Sequence, residues 1–188
     1  MLRSSPGQPD LTGLRVDAAS GRLLGARQVE SPNCDDRPPG LVPELIVVHG
    51  ISLPPGEFGG PWIEALFTNS LPADAHPYFA GIAALRVSAH LLVRRDGAPV
   101  QYVPFTRRAW HAGQSRWRGR ENCNDYSIGI ELEGTDSGGY ERAQYAARGR
   151  AVQIESIADP AVHARDHERL PVVGDDADLA DERLVEDR

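Results

Sequence analysis

The segment LIVVHG, residues 45–50, constrains this chain more than any other. It sets four branched aliphatic residues in a row, without polar alternation, and then breaks at His49 and Gly50. A strand with one wet face alternates apolar and polar residues, whereas an unbroken apolar run needs cover on both faces. The chain is therefore expected to build a sheet with a packed layer on each side. The run ends in ISLPPGEFGGPW, whose prolines and glycines dictate a loop. His49 thus stands at a strand end beside a loop, the place where ligands usually bind in α/β sheets.

The remaining elements fit such a sheet. VSAHLLVRRDGAPVQYVP reads as a hairpin, two strand-like runs flanking Asp96-Gly97, the chemistry of a tight turn with positive φ. In SIGIELEG, Ile128, Ile130 and Leu132 share one face of a strand, while Gly129, Glu131 and Glu133 share the other. Residues 62–67 predict one or two helical turns and residues 76–85 a short helix. Residues 140–157 have helical composition, interrupted at Arg148-Gly149-Arg150. The first 40 residues are rich in Gly, Pro, Ser and Asp and read as irregular, apart from a short strand within residues 22–29. The fold class expected is α/β, a mixed central β-sheet flanked by helices.

Composition narrows the setting. A chain of 188 residues holds one domain. No apolar run approaches the roughly 20 residues that span a bilayer, and MLRSSPGQPD lacks the apolar core of a secretory signal. Two cysteines, Cys34 and Cys123, cannot make a disulfide scaffold and have no CxxC context, so reduced thiols and a cytoplasmic location are expected. The net charge of −7 comes without a basic stripe, which argues against a nucleic-acid partner, and no membrane partner is expected. The charge is uneven. Residues 1–150 balance 16 Arg against 16 Asp and Glu, whereas residues 151–188 set 4 Arg against 11 acidic residues. All the aromatic residues lie at or before Tyr145, and every basic residue is Arg.

Several side chains can carry chemistry, and each has a plainer reading. His49 is a zinc ligand or a satisfied buried imidazole. His90, among apolar residues, reads as structural, bonding to backbone or supporting a ligand from behind. His111, after Trp110 in a Gly-containing loop, binds substrate or braces the loop. His76 reads as a surface residue at a helix start. Glu131 is a general acid/base if a metal-bound water lies near, or a solvent-facing carboxylate on a one-sided sheet; Glu133 is the alternative. Trp110, Tyr78, Phe67 and Arg86 line a sugar or peptide pocket, or are ordinary core and rim. His163 and His167 are spaced like a helical zinc pair but lack its Glu, and the acidic context favours a solvated stretch.

The strings LIVVHGISLPPGEFGGPWIEALFTN, HPYFAGIAALRVSAHLLVRRDGAPVQYVPF and RAWHAGQSRWRGRENCNDYSIGIELEGTD, with YERAQY, resemble the AmpD-type amidases of bacterial cell-wall recycling. These belong to a zinc amidase superfamily that includes peptidoglycan-recognition proteins. The resemblance covers about residues 20–147 and implies a peptidoglycan-recognition-like fold. It implies hydrolysis of the amide joining (1,6-anhydro)-N-acetylmuramic acid to the L-Ala of the stem peptide, with an anhydromuropeptide as substrate, Zn2+ as cofactor and a monomeric enzyme. On it, His49 matches the first zinc ligand and Glu131 the catalytic acid/base. Phe67, Tyr78, Arg86 and Trp110 match positions lining the muropeptide site. Gly50 stands where the family usually has Asn, and Asn122 where it often has an Arg that contacts the sugar.

The likeness stops near Ala147. The family's later motif supplies the second zinc His, a ligand Asp ten residues on, and an oxyanion-stabilising Lys. Neither His163 nor His167 has an Asp at that spacing, and the chain contains no Lys. The expected organisation is an irregular arm over residues 1–20, an amidase domain over residues 21–147 without its C-terminal part, and an atypical acidic tail over residues 148–188. A shifted reading frame or true divergence of the tail accounts for the change. The alternatives to an active amidase are accordingly a catalytically impaired muropeptide-binding relic or a frameshifted product.

Overall fold

The computed structural model describes residues 11–135, 137–151 and 172–174. Four short strands come first: β1 (Arg15–Asp17), β2 (Arg22–Leu24), β3 (Arg27–Gln28) and β4 (Cys34–Asp36). The long apolar run forms β5 (Leu45–Ile51). Helices α1 (Trp62–Phe67) and α2 (Phe79–Ile82) follow. Next come β6 (Leu91–Val93), β7 (Pro99–Gln101), β8 (Arg107–Ala109), β9 (Arg116–Trp117) and β10 (Arg120–Glu121). The chain then forms β11 (Ser127–Glu133), helix α3 (Arg142–Ala151) and β12 (Val172–Gly174).

Six strands make the central sheet, in the order β12-β5-β11-β6-β7-β3. Only the β6–β7 hairpin is antiparallel. The two strands read from LIVVHG and SIGIELE lie side by side and parallel, paired from Ser127 against Leu45 to Glu133 against Ile51. Neither lies at an edge: β11 is buried throughout, and β5 is buried over Leu45–Val47 and opens toward its carboxyl end, where His49 stands.

On one face Ile128, Ile130 and Leu132 join Ile46, Leu91, Val93 and Phe105, and Ala147 of α3 closes the cluster. On the other face α1 and α2 bring Ile63, Leu66, Phe67 and Phe79 against Leu92 and Val100. Farther along that face Leu45 and Val47 pack with Ala112, Cys123 and Tyr126 of the connection between β8 and β11. Helix α3 is fastened by Gln144. Its amide donates to the carbonyls of Val93 and Glu133, both at 3.0 Å, and its oxygen accepts the Glu141 N–H at 2.8 Å.

The hairpin turns where Asp96-Gly97 predicts. Gly97 has φ +87°, the Asp96 carboxylate accepts the Ala98 N–H, and Arg94 N–H bonds back to Ala98. Within the described part of the first 40 residues the chain is more ordered than its composition suggests. β1 pairs with β2, β3 adds to the sheet beside β7, and β4 pairs with β8. Strands of two or three residues carry too little alternation to show in a sequence. The predicted strand within residues 22–29 is two strands, parted at Gly25, which has φ +88°. The helix expected over residues 76–85 is the single turn α2. Residues 163 and 167 lie outside the described residues, as does most of the acidic tail.

Candidate active site

Parallel pairing places Glu131 of β11 directly abreast of His49 of β5. Laterally paired residues project from the same side of a sheet, so an imidazole and a carboxylate share one face. Glu131 is only 8 % exposed, which removes the reading of a solvent-facing carboxylate on an open sheet. His49 is half-buried, and Gly50 beyond it is exposed. The next acid on the same face does other work. Glu133 accepts the N–H of Gly59 at 2.7 Å and of Arg95 at 3.2 Å, with the Arg94 guanidinium at 3.5 Å. It latches the Gly- and Pro-rich loop and the β6–β7 turn to the strand end.

The rest of that face is made by small residues. Ser127 and Gly129 precede Glu131 at two-residue steps, and the His111 ring lies over them. A Cβ at residue 129 would overlap that ring, so only glycine admits it. His111 Nδ1 is 3.1 Å from His49 Nε2, and His111 Nε2 is 3.1 Å from Ser127 Oγ. Burial, then the neighbouring His49, His90 and Arg37, hold the His111 imidazole well below its ordinary pKa, so it is neutral. Asn124 fixes the backbone here, its oxygen accepting the N–H groups of His111 and Ala112.

His90 sits one residue before β6 and is fully buried. Its Nδ1 accepts the Gly129 N–H at 3.0 Å, and its Nε2 donates to the Arg107 carbonyl at 3.0 Å. It is a structural bridge, as its apolar setting suggests. Burial and the nearby Arg37 charge press its pKa down to about 3. The unfolded chain takes up a proton near pH 6.5 and the folded one does not, so stability is full above pH 6.5 and falls as pH drops toward 3. His90 alone is expected to cost about 2 kcal/mol at pH 5 relative to pH 7.5. Urea midpoints at the two pH values check this; equal midpoints would contradict it.

The other residues that the resemblance assigns to the muropeptide site are spread differently. Trp110 is half-buried, and its indole N–H donates to Asp35 at 3.2 Å. Asp35 also takes two hydrogen bonds from Arg108, whose guanidinium reaches Asp125 as well. The Arg108 bonds, with the Trp110 bond, hold the Asp35 carboxyl below its ordinary value against the opposing effect of burial. Tyr78 is half-buried at the start of α2, its N–H donating to His76 Nδ1. Arg86 is exposed and donates to the carbonyls of Ala84 and Leu85. Asn122 is exposed in the left-handed region, φ +58°. Phe67 is in the core, 2 % exposed, edge-on to Tyr102.

The donor set does not complete a zinc site among the described residues. A catalytic zinc takes three protein ligands and keeps one position for water. The described residues contain no cluster of three His, Cys, Asp or Glu side chains with the proximity to hold a metal. His49 supplies one imidazole and His111 turns both its nitrogens to protein groups. Cys34 and Cys123 are free thiols, and Cys123 is buried against Tyr126. No described helix is long and apolar enough to cross a membrane.

Sequence reading singled out His49 and Glu131 but left His111 undecided and missed Ser127. The signal was present as two small residues on the Glu131 face, at the steps where a ring can lie flat on a strand.

Comparison with known proteins gives this half-site a lineage. The profile of the N-acetylmuramoyl-L-alanine amidase family matches residues 39–177, which includes β5, β11 and β12. The 1,6-anhydro-N-acetylmuramyl-L-alanine amidase AmpD of Escherichia coli is 61 % identical over 150 residues, 78 % of this chain and 81 % of that protein. The corresponding AmpD of Citrobacter freundii is 68 % identical over 125 residues, 66 % of this chain and 67 % of the relative. A crystal structure of a selenomethionine AmpD derivative superposes with a TM-score of 0.79 at 54 % identity, covering 90 % of each chain. With sequence and fold in agreement over most of its length, the chain belongs to the N-acetylmuramoyl-L-alanine amidase family.

Proposed function

We propose that this chain hydrolyses the amide between 1,6-anhydro-N-acetylmuramic acid and the L-Ala of a stem peptide, in the cytoplasm, as a step of cell-wall recycling. The observation that carries the reading is the in-register pairing of His49 with Glu131 on one buried face. The names of the relatives point to the same substrate. Glu131 takes the proton of the attacking water and delivers it to the departing L-Ala amine. A carboxylate on a rigid central strand suits that double role, because it reaches both protons without moving its backbone. Trp110 and Tyr78 offer ring faces to the sugar and peptide, and Asp35 with Arg108 holds Trp110 in place.

Zinc enters this proposal as a weakly held cofactor anchored on His49. Metal affinity depends on several preorganised ligands, and neither His163 nor His167 has, ten residues on, the Asp that the family resemblance implies. The absence of Lys from the whole chain also removes the cation that the family resemblance assigns to the oxyanion. Slow turnover that rises with added zinc is therefore expected. Mass spectrometry of anhydromuramyl-tripeptide incubated with the chain and excess zinc is expected to show free anhydromuramic acid and free tripeptide. Products cut at any other bond, or none under those conditions, would overturn the assignment.

A further inference from the structure

Trp110 is held by polar contacts more than by packing. Among the described residues Trp62 and Trp117 pack against the core clusters, whereas the half-buried Trp110 belongs to none of the three. Its backbone is paired with Ser88, donating to the Ser88 hydroxyl at 3.1 Å and accepting the Ser88 N–H at 3.0 Å. Its indole N–H ends on Asp35 Oδ1 at 3.2 Å. Backbone and ring edge are both fastened, and only two side-chain torsions lie between them. Asp35 is seated in turn by the residue directly across the β4–β8 ladder. Arg108 Nε donates to Oδ1 at 2.7 Å and a terminal nitrogen donates to Oδ2 at 2.6 Å. The other arm of that guanidinium goes to Asp125, in the turn before β11. The Asp35 side chain is 41 % exposed. Exposed ion pairs add little to stability unless they are bidentate or networked, and this one is both.

We propose that Asp35, seated by Arg108, is a positioning residue for substrate binding: it fixes the tilt of the Trp110 indole, so that the ring is preset for the flat, C–H-lined side of the muropeptide's sugar. The ligand rests on the amidase reading; the fixing of the ring does not. Trp110 directly precedes His111, whose ring lies over β11, so the fastened indole stands at the rim of the candidate site. A ring already ordered before the ligand arrives spares the cost of ordering it on binding.

Calorimetric titration of the full chain with anhydromuramyl-tripeptide, in chelator so that the ligand stays intact, reads this. Asp35→Ala is expected to raise Kd about 3–10-fold. Asp35→Asn, which keeps one acceptor oxygen and the side-chain volume, is expected to fall between Asp35→Ala and wild type. In a Trp110→Phe background, which has no indole N–H, Asp35→Ala is expected to cost nothing further. Asp36→Ala removes the neighbouring Asp36–Arg107 ion pair, one step along the same ladder, and is expected to bind as wild type. With excess zinc, Asp35→Ala is expected to raise KM and keep kcat, whereas loss of folded protein would lower kcat. In 1H–15N spectra the Trp110 indole, assigned from its loss in Trp110→Phe, is expected to exchange its proton faster in Asp35→Ala and not in Asp36→Ala. An Asp35→Ala chain that binds as wild type, or whose loss persists undiminished in Trp110→Phe, overturns the proposal. So does an equal loss in Asp36→Ala. A wild-type chain that binds no muropeptide removes the amidase reading, and the indole exchange still decides whether Asp35 fixes the ring.

Discussion

Glu131→Gln is expected to reduce kcat for muropeptide hydrolysis by about 10²–10⁴-fold, with KM and the folded structure little changed. The amide has nearly the volume of the carboxylate, and it sits in the middle of a strand paired on both sides, Glu131 against His49 and against Leu92. The substitution removes the proton acceptor and leaves the sheet. Steady-state rates at saturating zinc, with circular dichroism as the control on folding, read the effect. A Glu131→Gln enzyme keeping more than about a tenth of wild-type kcat would show that another group moves the proton. Glu133→Gln is a useful contrast. It weakens the latch on Gly59 and Arg95, and its cost is expected in stability before chemistry.

The largest effect on folding is expected at Ile130→Ala. Ile130 is fully buried, it lies on the strand that joins the two halves of the sheet, and its side chain faces the cluster closed by Ala147 of α3. Removing the side chain loses its transfer energy and leaves a cavity between stiff neighbours, about 2–5 kcal/mol in all. For a chain of this size each kcal/mol lowers Tm by about 2–4 °C. Ile130→Val, which keeps the branch, is expected to cost about 0.5–1.5 kcal/mol. Thermal melts of the three proteins, at one pH and without metal, should rank in that order. An alanine variant that melts with wild type would mean that this face of β11 is not a packed core.

Why these two neighbours on one strand differ so sharply in purpose was largely legible in the sequence. Alternation in SIGIELE separates Ile130 from Glu131, and the unbroken LIVV of β5 announces a strand covered twice. What the sequence did not state was which strands are neighbours. That β5 and β11 pair in parallel, one residue against one, is a tertiary fact, and it alone makes His49 and Glu131 a pair. The same gap hid His111. A histidine after Trp110 in a loop can brace or bind, and the choice was made by Ser127 and Gly129, which are reached only once the loop is laid across β11. Phe67 shows the opposite limit. The sequence left Phe67 open between pocket lining and ordinary core, the family resemblance implying the first, and the turn of α1 packs its ring against Tyr102.

β5 and β11 set an imidazole and a carboxylate side by side, and the sequence beyond them lacks the His and Asp spacing that the family resemblance implies for the other zinc ligands. Zinc analysis of the purified full chain after dialysis against a chelator, followed by activity measured against rising free zinc, tests this most directly. The expected result is well under one zinc per chain and hydrolysis that climbs with added metal. One tightly bound zinc per chain, surviving the chelator and supporting full activity without supplement, would contradict it.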